Sequence, residues 1–153
     1  MRLRRLLAAL LLALAALAVG CGGGAGEKNA YVEDVQAAQR MFVTRFDQVR
    51  KRLTATSTLA QDRATLGDFG TATGTFVTAL KRVKAPAAVR EQHRRLIAAV
   101  VAYQREVERA AVRLRSGSSQ DRARVRTELS SSVEGTQARI AGAIGDINAG
   151  LRG

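Results

Sequence analysis

The amino-acid sequence predicts an all-α protein, an antiparallel up-down-up-down four-helix bundle, and three observations carry that expectation. Apolar residues recur at alternating intervals of three and four along nearly all of residues 30–153, the spacing of helices with one buried stripe. Turn chemistry interrupts the pattern at Thr54 to Thr58, at Ala85-Pro86 and at Ser116-Gly117-Ser118-Ser119, leaving segments of roughly 26 to 32 residues whose short connections favour antiparallel neighbours. Period-two alternation is absent and the β-branched residues fall at helical spacing, so no strand competes.

Ahead of the helices, Arg2, Arg4 and Arg5 form a positive n-region and Leu6 to Val19 is an unbroken apolar run, the layout of a secretory signal. The run falls short of the ~20 apolar residues that span a membrane. At Leu17-Ala18-Val19-Gly20-Cys21 the sequence resembles the lipobox of bacterial lipoproteins. The resemblance implies that residues 1–20 are removed and that Cys21 carries a palmitate-type lipid anchor, which sets the protein on the extracytoplasmic face of a bacterial cell membrane. Residues 21–29 are then the lipidated cysteine and a glycine-rich tether reaching roughly 12 Å, and residues 30–153 the helical domain.

Asn29 is suited to cap helix 1, with Glu33 and Asp34 favourable near the positive end of its dipole. Its seam runs through Val35, Gln39, Phe42, Phe46, Val49, Leu53, Thr56 and Ala60. The next seam, Leu59, Leu66, Phe69, Thr73, Phe76, Leu80 and Val83, is out of phase by one residue. A turn must therefore intervene, and Thr58 with Gln61 three residues on fits a capping box that opens helix 2. An elongated coiled coil, or a three-helix arrangement, is the alternative if helices 1 and 2 fuse through Thr54 to Thr58. Gly67, Gly70 and Gly74 lie beside the helix 2 stripe at a cost of ~1 kcal/mol each against alanine. Close approach of a neighbouring helix is the expected compensation, and a shallow groove or a softened helix the other reading.

Helix 2 ends near Lys84, because the residue before Pro86 is pushed out of helical geometry while the proline suits the first turn of a following helix. Helix 3 has the cleanest repeat: Val89, His93, Leu96, Val100, Tyr103, Val107, Ala110 and Leu114. Ser118 and Asp121 form a second capping box for helix 4, whose inner face is Val125, Leu129, Val133, Thr136, Ile140, Ala143, Ile144 and Ile147. Ser130 to Ser132 with Gly135, Gly142 and Gly145 weaken it, and its last turns are expected to fray.

The stretch Leu80-x-x-Val83-x-x-Pro86 with His93-x-x-Leu96 and Tyr103 resembles a helix hairpin of small uncharacterised helical-bundle lipoproteins from GC-rich, actinobacteria-like bacteria. That likeness bears on fold and location and implies no chemistry.

With one histidine and one cysteine, the latter acylated on the lipobox reading, the chain offers no converging metal ligands and no activated nucleophile, so neither a cofactor nor an enzyme activity is expected. Charge is more informative. The formal charge is +12, and loss of Arg2, Arg4 and Arg5 leaves +9. From Lys81 to Arg126 there are 13 basic and 4 acidic residues, so that region holds the whole excess. Export argues against nucleic acid as its partner. Lys81, Arg82, Lys84, Arg90, Arg94 and Arg95 flank the helix 2 to helix 3 turn and are candidates for contact with anionic lipid headgroups. The distal Arg113, Arg115, Arg122, Arg124 and Arg126 are candidates for acidic wall polymer. The other reading of both groups is a solvated helix face.

The function expected is that of a lipid-anchored, non-enzymatic helical module engaged in binding, through a protein partner or the envelope. The alternative is a small-solute-binding bundle whose cavity is lined by Gln39, Thr56, Thr73, His93, Tyr103 and Thr136. His93 is expected inside the bundle, paired with Gln39 at similar height or else with a hydroxyl or backbone group.

Overall fold

The computed structural model describes residues 24–52, 54, 56–115 and 119–152, and in the last stretch side chains at 124, 125, 127, 128, 135 and 138–152. Residues 1–20 with the expected signal, Cys21, and Ser118 of the second capping box lie outside the described residues. Among the described residues the protein is all-α and forms a helical bundle. Its helices are α1 (Ala25–Arg50), α2 (Leu59–Arg82), α3 (Arg90–Arg115) and α4 (Ser119–Arg152), and a 3-10 turn, Ala87–Val89, leads into α3.

Helix α1 opens before Asn29 rather than after it. The Lys28 amide already donates to the Gly24 carbonyl at 3.0 Å, and Asn29 is an exposed residue within the helix. The earlier start brings Tyr31 and Val32 onto the inner face, where both are buried. Burying one such side chain yields about 1.5–3 kcal/mol, more than the ~1 kcal/mol that Gly26 costs the helix. Residues 25–29, expected in the tether, are thus the first turn of α1.

The break between α1 and α2 keeps the two helices separate, so the fused form is not adopted. The Gln61 amide donates to Thr58 Oγ1 at 3.2 Å and the Thr58 amide to Gln61 Oε1 at 2.7 Å, the expected reciprocal capping box. At the next connection Pro86 takes extended geometry with ψ 152° and its carbonyl accepts from the Val89 amide at 3.1 Å, which closes the 3-10 turn.

All eight residues of the expected helix 3 seam are buried, Val89 in the 3-10 turn and His93 through Leu114 in α3. The core comprises two clusters. One joins the first half of α1, the second half of α2, the first half of α3 and the last turns of α4, through residues such as Val35, Leu80, Leu96 and Ile147. The other joins the opposite halves through Phe46, Leu66, Phe69, Val107, Leu114 and Val125. Phe42 packs against both. Its ring stacks on Phe76 at 4.7 Å between centroids and lies 5.5 Å from Phe46, which in turn tilts onto Phe69 at 5.0 Å. Offset and tilted aromatic pairs of this kind add ~0.5–1.5 kcal/mol each beyond the area they bury.

The end of α4 also differs from expectation. It remains helical to Arg152, with Ile147 and Leu151 buried in the first cluster. Apolar burial there offsets the glycines that led us to expect fraying.

The glycines of α2 do not mark a close helix approach. A Cβ built on Gly67 or Gly70 meets nothing within 4 Å, and on Gly74 it reaches only Gln104 Nε2 at 3.5 Å. Close approach occurs instead at Gly150, where a Cβ would lie 2.8 Å from Val89 Cγ1 and 3.3 Å from the Ala88 carbonyl oxygen. The two classes have opposite expected outcomes. Gly67→Ala and Gly70→Ala should each stabilise the fold by ~1 kcal/mol through helix propensity alone. Gly150→Ala should lose stability despite the same propensity gain, because α4 must move off the 3-10 turn. Urea unfolding midpoints of the three variants check this directly.

Candidate functional site

The end of the bundle where α2 leads into α3 combines most of the features the sequence singled out. Lys81 and Arg82 close α2, Lys84 stands in the connection, and Arg90, Arg94 and Arg95 occupy the first turns of α3; all six are exposed. Side chains at the last turn of one helix and the first turn of the next share one end because Pro86 and the 3-10 turn leave no room for a longer loop. Glu91 pairs with both Arg94 and Arg95, the latter at 3.6 Å, within a single helical face. Such exposed pairs contribute little to stability, at most ~1 kcal/mol, and leave the guanidinium groups accessible. For Lys81, Arg82, Lys84 and Arg90 the structure shows no ion pair with a described acidic residue.

The start of α1 and the end of α4 sit at this same end. Lys28 Nζ donates to the Leu151 carbonyl at 2.8 Å, a cation placed on the negative terminus of a helix. Beneath the basic rim lies His93, 5 % exposed. Its Nε2 is 3.0 Å from the Leu80 carbonyl oxygen and its Nδ1 3.1 Å from the Tyr31 hydroxyl, with the two rings edge to face at 5.6 Å. A carbonyl only accepts, so Nε2 carries the ring proton, and Nδ1 accepts from the Tyr31 O–H. One imidazole thereby ties α1, α2 and α3 together.

Gln39, expected as the partner of His93, is buried but occupies a level two turns further along α1, and both ring nitrogens of His93 are engaged elsewhere. In α1 it is Tyr31, within the helix because α1 starts at Ala25, and not Gln39 that stands opposite the first turns of α3. Burial lowers the His93 pKa from its ordinary value, and the hydrogen bond to Leu80 opposes that shift in part. Burial pushes the phenol of Tyr31 up to about 12, so it is a hydroxyl donor at any physiological pH.

The remaining polar seam residues do not gather at one place. Thr73 is fully buried and donates from Oγ1 to the Phe69 carbonyl at 2.7 Å within its own helix. Tyr103 belongs to the second cluster, where burial pushes its phenol up to about 12. Thr56 is exposed outside the helices, and the side chain of Thr136 lies outside the described residues. A further buried polar group, which the sequence reading overlooked, is Asp62 at the opposite end, accepting from Ser57 Oγ at 2.6 Å. Arg63 Nε caps α3 there by donating to the Leu114 carbonyl at 2.7 Å.

The distal arginines divide differently from the first group. Arg113 pairs with Glu128, Arg124 is exposed, and the side chains of Arg115, Arg122 and Arg126 lie outside the described residues. Among the described residues no group of three or more His, Cys, Asp or Glu is placed to hold a metal, and no helix is long and apolar enough to cross a membrane. Tyr31 and Lys28 are the site residues missed from sequence. Tyr31 lies four residues before Val35 in register with the seam, a signal that was present but cut off by taking Asn29 as the cap.

No family model, no curated protein and no solved structure matches the chain.

Proposed function

We propose that the protein is a lipid-anchored, non-enzymatic helical module on the extracytoplasmic face of a bacterial membrane, its helices running up-down-up-down, acting through binding at its basic end. The observation that carries the reading is Cys21 at the end of an apolar run headed by three arginines, followed within four residues by the start of α1. Support for the topology comes from the two core clusters, each built from alternating starts and ends of successive helices. Support for binding at the basic end comes from the exposure of Lys81, Arg82, Lys84, Arg90, Arg94 and Arg95 around one turn. The partner is an anionic surface or an envelope protein that carries one. The role asks no chemistry of the core, and His93 there has both nitrogens committed to structure.

Attachment is tested by metabolic labelling with a fatty acid. Wild-type protein should take up label, lose residues 1–20 and sediment with membranes, since two acyl chains hold a protein stably on a bilayer. Cys21→Ala should take up none and leave the membrane fraction or retain its leader. An unlabelled wild-type chain with Met1 to Gly20 intact would falsify the anchor.

A further inference from the structure

We infer that the basic end is a foot that docks on anionic lipid headgroups and stands the bundle upright on the membrane. This rests on the anchored reading above and deepens it by naming the partner and the orientation. Only three residues, Gly22 to Gly24, separate Cys21 from α1, because the helix opens at Ala25 and not at Asn29. Even fully extended, such a link spans no more than about 3.3–3.6 Å per residue. The first turn of α1 is therefore held within roughly a Debye length or two of the lipid, whatever path the link takes.

That first turn is locked to the rest of the basic end. Lys28 holds the α4 terminus and Tyr31 holds His93, which holds Leu80 at the end of α2. The bundle cannot approach the bilayer through α1 without bringing the α2 to α3 turn with it. The cations it brings are Lys81, Arg82, Lys84, Arg90 and Arg94, with exposed Arg152 on the neighbouring end of α4. Arg152 is placed there by the contact of Gly150 with the 3-10 turn. The acidic residues in the same turns are Glu27, Glu91 and Asp146, and Glu91 is already shared between two arginines. At the opposite end Arg52 pairs with Asp68 at 2.8 Å and Arg113 with Glu128, Arg63 is bonded to the Leu114 carbonyl, and Lys51 and Arg124 are exposed. Lys81, Arg82, Lys84 and Arg90, exposed and without an ion pair to a described acidic residue, thus lie on the side from which the lipid emerges. Headgroups are favoured over wall polymer because the tether presents this end to the bilayer first.

The experiment uses the full chain, isolated from membranes with its fatty-acid label confirmed, in vesicles of phosphatidylcholine with or without phosphatidylglycerol. A single donor dye is attached at Ala87→Cys, in the exposed 3-10 turn, or at Ala60→Cys, exposed in the first turn of α2. Acylation of Cys21 leaves the new thiol as the one that reacts. The two positions are about 35 Å apart along α2 at 1.5 Å per residue. With phosphatidylglycerol at low salt, energy transfer to a bilayer-surface acceptor should be several-fold greater from Ala87→Cys than from Ala60→Cys. The contrast should shrink severalfold towards what the tether alone imposes in phosphatidylcholine alone, at high salt, and in the Lys84→Glu, Arg90→Glu double variant. Equal transfer from the two positions in anionic vesicles, or a contrast indifferent to lipid charge, would overturn the docking while leaving the anchor intact. Contrast that returns in phosphatidylcholine only when a soluble anionic polymer is added would assign the foot to wall polymer and overturn it equally. A chain that takes up no fatty acid fails the anchor, and this inference with it.

Discussion

Leu80→Ala is expected to cost about 2–5 kcal/mol of unfolding free energy, enough to erase a large part of the 5–15 kcal/mol by which a domain of this size is stable. Leu80 is fully buried in the first cluster, among side chains from all four helices. The loss combines the transfer free energy of the removed carbons with the cavity they leave, and helices pinned at both ends by turns collapse poorly onto a void. The substitution keeps the backbone carbonyl, so the bond from His93 survives and the measured change reports packing alone. Urea denaturation followed by circular dichroism gives the number. A cost below ~1 kcal/mol would mean that the first cluster is not packed as described.

The Tyr31–His93–Leu80 chain supplies the second large effect, and it depends on pH. Tyr31→Phe strips the donor from Nδ1 and leaves that nitrogen buried without a partner, at a cost of ~1–3 kcal/mol. His93→Leu orphans the Tyr31 hydroxyl and takes one of two donors from the Leu80 carbonyl, which keeps the Val83 amide at 3.1 Å, and should cost a similar amount. The double variant should lose less than the sum, since each single change already breaks the shared bond. For pH, the folded-state pKa of His93 lies below the ordinary 6.5 because burial disfavours the imidazolium. Below 6.5 the unfolded chain therefore binds the proton more readily than the folded one, so stability is fully present above that value. It is lost as pH falls from 6.5 towards the lowered folded pKa. In the imidazolium Nδ1 can no longer accept, so its bond to Tyr31 reverses, with Nδ1–H donating to the phenol oxygen. Wild-type unfolding free energy between pH 8 and 5 should decline by this contribution, and the decline should be absent in His93→Leu. Equal pH slopes in the two proteins would sink the assignment.

Both experiments bear on the proposed docking. The hydrogen bonds of His93 join α1 to the basic turn, so a loss of fold stability on acidification bears on the same link that the docking proposal relies on. The energy-transfer contrast of the upright bundle should accordingly weaken in Tyr31→Phe even at neutral pH.

Periodicity alone places the four helices, the whole buried face of α3 and the capping box at Thr58. Each of these is a local property: a seam repeats wherever one side of a helix is buried, and a cap is satisfied within one turn. The exposure of Lys81, Arg82, Lys84, Arg90, Arg94 and Arg95 follows in the same way from their places off the seam. Distances between helices are not local, and there the tertiary structure decides. The choice between Asn29 and Gly24 as the start of α1 turns on whether Tyr31 and Val32 find a surface to cover, which α2, α3 and α4 provide. The earlier start brings Tyr31 into the helix, where it takes the partner role expected of Gln39, and shortens the stretch between Cys21 and α1. It also explains why the glycine that matters is Gly150 rather than Gly67 or Gly70. All of these glycines cost a helix the same intrinsic free energy, and only the approach of Val89 and the Ala88 carbonyl distinguishes one that cannot be replaced from those that can.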